Sequence, residues 1–138
     1  MKKICLILMI GLLATPIFAQ QFAAINFLTP RIELNETPQF LWSVTTYDFG
    51  KIKVNNPVTH EFRFTNSGDA PLVISSVQAS CGCTVTDYSK DPIPAGAEGY
   101  VKATYNAAKV GVFTKTVTVN ANAGEGAVQL LIKGEVVQ

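Results

Sequence analysis

The stretch Val58-Thr59-His60-Glu61-Phe62-Arg63-Phe64-Thr65-Asn66-Ser67-Gly68-Asp69 decides the fold class. Consecutive side chains of an extended chain alternate sides, so Val58, His60, Phe62 and Phe64 share one face and Thr59, Glu61, Arg63 and Thr65 the other. Such a segment is a strand with one dry and one wet face. Asn66 to Asp69 then supplies the residues of a turn, and no amphipathic helical period competes anywhere downstream.

Working outward, the same grammar repeats. Upstream, Asn55-Asn56 suits a tight turn because Asn tolerates positive φ. Downstream, Pro71 to Ala79 is mostly apolar and is expected to be a strand with both faces at least partly covered. Pro92-Ile93-Pro94-Ala95-Gly96 makes a rigid turn before a strand at Tyr100 to Tyr105. Val117 and Val119 alternate with Thr116 and Thr118, Ala121 to Gly126 forms a hairpin, and Val128, Leu130, Ile132 and Val136 share a face. Short β-branched and aromatic runs, spaced by turns at about 8 to 12 residues, are the signature of an all-β sandwich. The prediction is an immunoglobulin-like β-sandwich of about seven strands over residues 42–138. Its two sheets would bury their inner faces about 10 Å apart. Trp42 and the tyrosines are expected to cap the core, and His60 to sit hydrogen-bonded at its edge.

The chain has 138 residues, 11 Lys+Arg, 10 Asp+Glu and one His, with 48% apolar content, which fits one globular domain. Lys2 and Lys3, the apolar run Ile4 to Leu13 and the break at Thr15-Pro16 ending in Ala19 form a secretory signal, with cleavage expected after Ala19. A membrane anchor would need about 20 apolar residues, so no transmembrane segment is expected after cleavage. Residues 20–41, interrupted by Pro30, Asn35 and Pro38, read as a poorly ordered lead-in ending in an edge strand. Without Lys2 and Lys3, nine basic residues face ten acidic ones, a net charge of −1. That balance gives no footprint for nucleic acid. The expected location is the periplasm or the cell surface.

Signal cleavage also removes Cys5, leaving Cys81 and Cys83 around Gly82, followed by Thr84. Residues i and i+2 of a strand project to one side, and Gly82 lets the backbone tighten. An intramolecular disulfide would close a loop of only three residues, stabilising by about 1.6 kcal/mol of chain entropy. It would therefore be an oxidising bridge, not a structural staple. Alternatively the pair binds a soft metal such as Cu(I) or Zn(II), although four-ligand zinc would find only these thiolates and His60 in the mature chain. Cross-linking to a partner and simple packing complete the possibilities. Asp48-Phe49-Gly50 spells a kinase triplet, but the other kinase strings are absent. With His60 alone, a nucleophilic triad has little to draw on. The chain is read as a non-enzyme without a cofactor.

Several strings, taken in order and spacing, resemble one family of small exported bacterial domains, the domain of unknown function number fifteen seventy-three. They are Tyr47-Asp48-Phe49-Gly50-Lys51-Ile52, His60 to Gly68, Pro71-Leu72-Val73-Ile74, Ser80-Cys81-Gly82-Cys83-Thr84 and Pro94-Ala95-Gly96, within about residues 42–137. The sequence departs from the family pattern at Val54-Asn55-Asn56-Pro57, where a glycine-acidic turn is expected. The resemblance implies an immunoglobulin-like module similar to the major-sperm-protein and Hydin types, which act as binding or scaffolding units, and it makes Cys81, Gly82, Cys83 and Thr84 the family's hallmark. It implies no enzyme activity. The expected role is an exported binding or scaffolding module whose partner is an envelope or cell-surface protein. The alternative is a thiol-redox or copper-handling accessory protein that works through Cys81 and Cys83.

Overall fold

A computed structural model describes residues 36–138, and within them every regular element is a strand. The expected signal peptide and most of the expected lead-in lie outside the described residues. The strands are β1 (Phe40–Trp42), β2 (Thr46–Lys53), β3 (Val58–Asn66), β4 (Ile74–Ala79), β5 (Thr84–Tyr88), β6 (Glu98–Tyr105), β7 (Gly111–Ala121) and β8 (Val128–Val137). They form two four-stranded sheets in the orders β1-β3-β6-β5 and β2-β8-β7-β4. All neighbours are antiparallel except β2 and β8. An immunoglobulin-like sandwich is what the alternation predicts, with eight strands because the end of the lead-in contributes β1.

β3 behaves as its sequence dictates. Phe62 and Phe64 are fully buried and pair in register with Val101 and Gly99 of β6. Burying two such rings contributes on the order of 5 kcal/mol. Position 99 has to be glycine because a Cβ there would enter the space of the Phe64 ring and the Ile93 side chain. Val117, Val119, Leu130, Ile132 and Val136 form the opposing layer. Tyr105 of β6 stacks on Phe113 of β7 at 4.0 Å between centroids, joining the two sheets. Asn55 takes φ 60° in the turn after β2, as its side chain permits.

Two expectations need correction. Pro71 to Ala79 does not have both faces covered. Leu72 and Ile74 are buried but Val73 and Gln78 are exposed, because β4 is an edge strand and no further layer among the described residues covers the outer side of its sheet. Leu72 lies outside the strand and exchanges backbone hydrogen bonds with Ile93 instead. His60 lies on the expected face, yet its buried Nε2 has no hydrogen-bond partner. Its ring is held by stacking on Tyr47 of the other sheet. Trp42 packs against Phe40 and Phe64 as a cap.

Candidate functional site

Four residues, Ser80 to Cys83, carry the chain from β4 in one sheet to β5 in the other. The backbone fixes both ends of this crossing. The Ser80 N–H donates to Thr116 O at 2.9 Å and the Thr116 N–H to Ser80 Oγ at 3.1 Å, tying the start of the turn to β7. The Asn106 N–H donates to Cys83 O at 3.1 Å, tying its end to the chain just beyond β6. The Thr84 N–H reaches Cys81 O at 3.4 Å across the turn itself.

Within this frame Cys81 and Cys83 are joined as a disulfide, with their Cα atoms 5.3 Å apart. Both residues are half-buried, and Cys83 packs against the core. Gly82 is exposed, and a Cβ placed on it would meet nothing within 4 Å beyond the two cysteines that flank it, so the tip of the turn is open. Thr84 is 6% exposed. Its Oγ1 lies 3.8 Å from Cys81 Sγ, and because a bridged sulfur has no proton the hydroxyl is the donor. The turn thus combines an approachable disulfide with a buried hydroxyl on one of its two sulfurs.

The structure brings Cys81, Gly82, Cys83 and Thr84 together and leaves His60 apart. His60 belongs to β3, and β6 separates that strand from β5. Its neighbours are Tyr47, at 3.7 Å between ring centroids, and Phe62, at 4.6 Å. Burial lowers the His60 pKa, and the adjacent Glu61 partly offsets this. Among the described residues no group of three or more His, Cys, Asp or Glu side chains could hold a metal. In the disulfide form the two sulfurs are not thiolate ligands. Sequence reasoning missed Ser80, Asn106 and Thr116, which hold the turn. No local pattern signals a pairing that spans 36 residues, as Ser80 with Thr116 does.

A second feature lies on the opposite side of the sandwich. β1 pairs only with Phe64 to Asn66 of β3. The Ser43 N–H donates to Arg63 O, so the backbone groups of Arg63 face that flank. Alternate residues direct their backbone groups to the same edge of a strand. Thr59 and Glu61 therefore present N–H and C=O where their sheet has no further strand among the described residues. On the adjoining segment from β1 to β2, Leu41, Val44 and Tyr47 are exposed. No helix among the described residues is long and apolar enough to cross a membrane.

Residues 40–136 match the model of a family described as protein of unknown function, DUF1573. A protein of unknown function from Porphyromonas gingivalis W83 is similar in structure, with a TM-score of 0.65 and 16% identity. That similarity covers 78% of this chain and 51% of the other, so the chain spans about half the length of that relative. The ASH/PapD-like domain 7 of human CEP192 gives a TM-score of 0.63 at 6% identity, over 75% of this chain and 88% of that one. The Vibrio cholerae VesB protease gives 0.58 at 12% identity, over 72% of this chain and 32% of the protease. These likenesses are of fold. No curated protein matches the chain in sequence.

Proposed function

Starting from the premise that the chain belongs to the DUF1573 family of proteins of unknown function, we propose that it is an exported, non-enzymatic binding module. It would take up an extended segment of another envelope or surface protein along the free edge of β3. The observation that carries this reading is the row of backbone groups at Thr59 and Glu61, which continue the edge beyond the last residue paired with β1. An added strand completes main-chain hydrogen bonds that water otherwise satisfies, and alternate side chains supply specificity. Inward side chains of the incoming strand would run beside Tyr47 and His60, which favours apolar residues. Outward ones would meet Glu61, Arg63 and Lys102, already linked in one ion-pair network.

The competing edge of that flank is guarded. β2 has an irregular register between Asp48 and Lys51, with Gly50 at φ +65°, and it carries Lys51 and Lys53. Bulges and lysines are devices that keep edges from pairing. The β4–β5 flank is drawn together by the Ser80 to Cys83 turn and by the Thr86 hydroxyl, which donates to Val77 O at 3.5 Å.

The test places a photo-reactive side chain at Thr59, with Thr118 on the outer face of the inner strand β7 as control, and exposes both proteins to envelope extract. A discrete adduct from Thr59 alone, mapping by mass spectrometry to an extended segment with alternating apolar residues, is the expected result. Equal labelling from both positions, or a protein that stays monomeric and unlabelled, overturns the reading.

A further inference from the structure

We infer that the Cys81–Cys83 bridge is a thiol–disulfide exchange site for dithiols of other exported proteins, in which Cys81 is the leaving sulfur and Thr84 the residue that positions it to leave. The inference is independent of strand docking on β3, since it uses the other flank of the sandwich.

Three observations carry it. First, the turn has holds other than the bridge. Ser80 is hydrogen-bonded through its N–H and its Oγ to Thr116 of β7, and Cys83 O accepts from the Asn106 N–H just after β6. Closing a loop of three residues constrains an unfolded chain by only about 1.6 kcal/mol. Second, the bridge is within reach of solvent, because Cys81 and Cys83 both keep partial exposure in a turn whose tip, Gly82, is exposed. Third, Thr84 is a buried polar residue whose hydroxyl contacts one sulfur of the bridge, Cys81 Sγ. Buried polar groups need a partner, and a hydroxyl donating to sulfur stabilises the thiolate more than the disulfide. Exchange is faster when the leaving thiolate is stabilised, which assigns Cys81 as leaving group and Cys83 as the sulfur attacked.

The step balances as follows. A thiolate of the incoming protein attacks Cys83 Sγ, and the bond to Cys81 breaks with its electron pair remaining on Cys81 Sγ under the Thr84 hydroxyl. The partner's second thiolate attacks its own sulfur in the mixed disulfide, and Cys83 departs as a thiolate. The partner has lost two protons and two electrons and gained a disulfide. Cys81 and Cys83, reprotonated, are the dithiol.

The experiment uses the oxidised mature protein with reduced glutathione as the attacking thiol, quenched in acid, alkylated and weighed intact. The expected course is addition of one glutathione, followed by appearance of two alkylatable thiols. Thr84→Val should slow the first addition about tenfold, the effect of one hydrogen bond to a charged sulfur, with an unchanged circular dichroism spectrum. Cys81→Ser, offered oxidised glutathione, should hold the adduct on Cys83 without releasing it. A parent bridge that survives a hundredfold excess of reduced over oxidised glutathione overturns the proposal. So does recovery of free thiols that oxidised glutathione cannot reconnect. A Thr84→Val protein that reacts at the parent rate overturns the assignment of Thr84 and Cys81.

Discussion

The imidazole of His60 lies flat against the phenol ring of Tyr47, with centroids 3.7 Å apart and planes within 10°. One ring comes from β3 and the other from β2, so the pair closes the sandwich from sheet to sheet where no strand among the described residues does. Phe49 meets Tyr47 edge-on at 4.9 Å and Phe62 meets His60 edge-on at 4.6 Å, extending the closure into a four-ring array. The same arrangement strips His60 Nε2 of water without giving it a partner.

Stability should therefore fall in mild acid. Desolvation lowers the His60 pKa in the folded state, with Glu61 opposing it more weakly. The unfolded chain takes up its proton near the ordinary value of about 6.5, before the folded chain does. Folding then loses free energy as pH drops through that value, and the loss levels off below the folded pKa. Urea midpoints measured between about pH 7.5 and 5.5 should decline for the parent and stay nearly level for His60→Phe, which keeps a stacked ring. Parallel declines in both proteins would assign the effect elsewhere.

Asn66→Ala should be among the most damaging substitutions in the chain. The Asn66 side chain is fully buried. Its Nδ2 donates to Ala70 O at 2.7 Å and to Ile93 O at 2.9 Å, while its Oδ1 accepts from the Gln39 N–H at 3.2 Å and the Gly68 N–H at 3.0 Å. Losing the side chain removes the partner of the Gln39 N–H, the Gly68 N–H and Ala70 O at once, while Ile93 O keeps the Leu72 N–H. At roughly 1 to 3 kcal/mol for each buried group left unpaired, the cost is on the order of 4 kcal/mol. Chemical denaturation at neutral pH measures it, and a loss below about 1 kcal/mol would mean that water replaces the side chain.

Asn66 also shows where sequence reading stops. Its neighbours Ser67, Gly68 and Asp69 make it look like the first residue of a turn, and it does end β3. Only the packed structure brings Gln39 and Ile93 against it. The alternation in Val58 to Phe64, the turn at Asn55 and the hairpin after Ala121 were legible because they depend on residues close in the chain. The four-residue turn around Cys81 was legible as chemistry, but the hydroxyl of Thr84 acquires its meaning from burial. The stack on His60 was not legible, since nothing local pairs position 60 with position 47. Nor was the exposure of Val73, which depends on β4 being at the edge of its sheet.

Gly99→Ala should destabilise by about 2 kcal/mol, as overpacking of a filled core does. The added Cβ would lie 2.7 Å from Ile93 Cδ1 and within the Phe64 ring's contact distance. Combining it with Phe64→Leu, which opens space at the same point, should cost less than the sum of the two single changes. Neighbouring residues that share one volume are coupled in this way. Strict additivity in the urea midpoints would place the strain of Gly99→Ala in the backbone and not in the ring.

Cys81→Ser combined with Cys83→Ser should leave a folded sandwich whose stability falls by no more than about 1.6 kcal/mol, the chain entropy of a three-residue loop. The backbone bonds from Ser80, Cys83 and Thr116 remain available without the sulfurs. The backbone ladder between β4 and β7 and the buried Ile74, Val117 and Val119 on those strands are untouched by the change. Equilibrium denaturation of the double variant, beside the parent with and without reductant, decides the matter. If reduced parent and double variant unfold together close to the oxidised parent, the cysteine pair is dispensable for folding, and its presence in a turn already held by hydrogen bonds calls for a chemical role. If both collapse, the bridge holds the crossing between the sheets, and Thr84 is buried there to pack the turn.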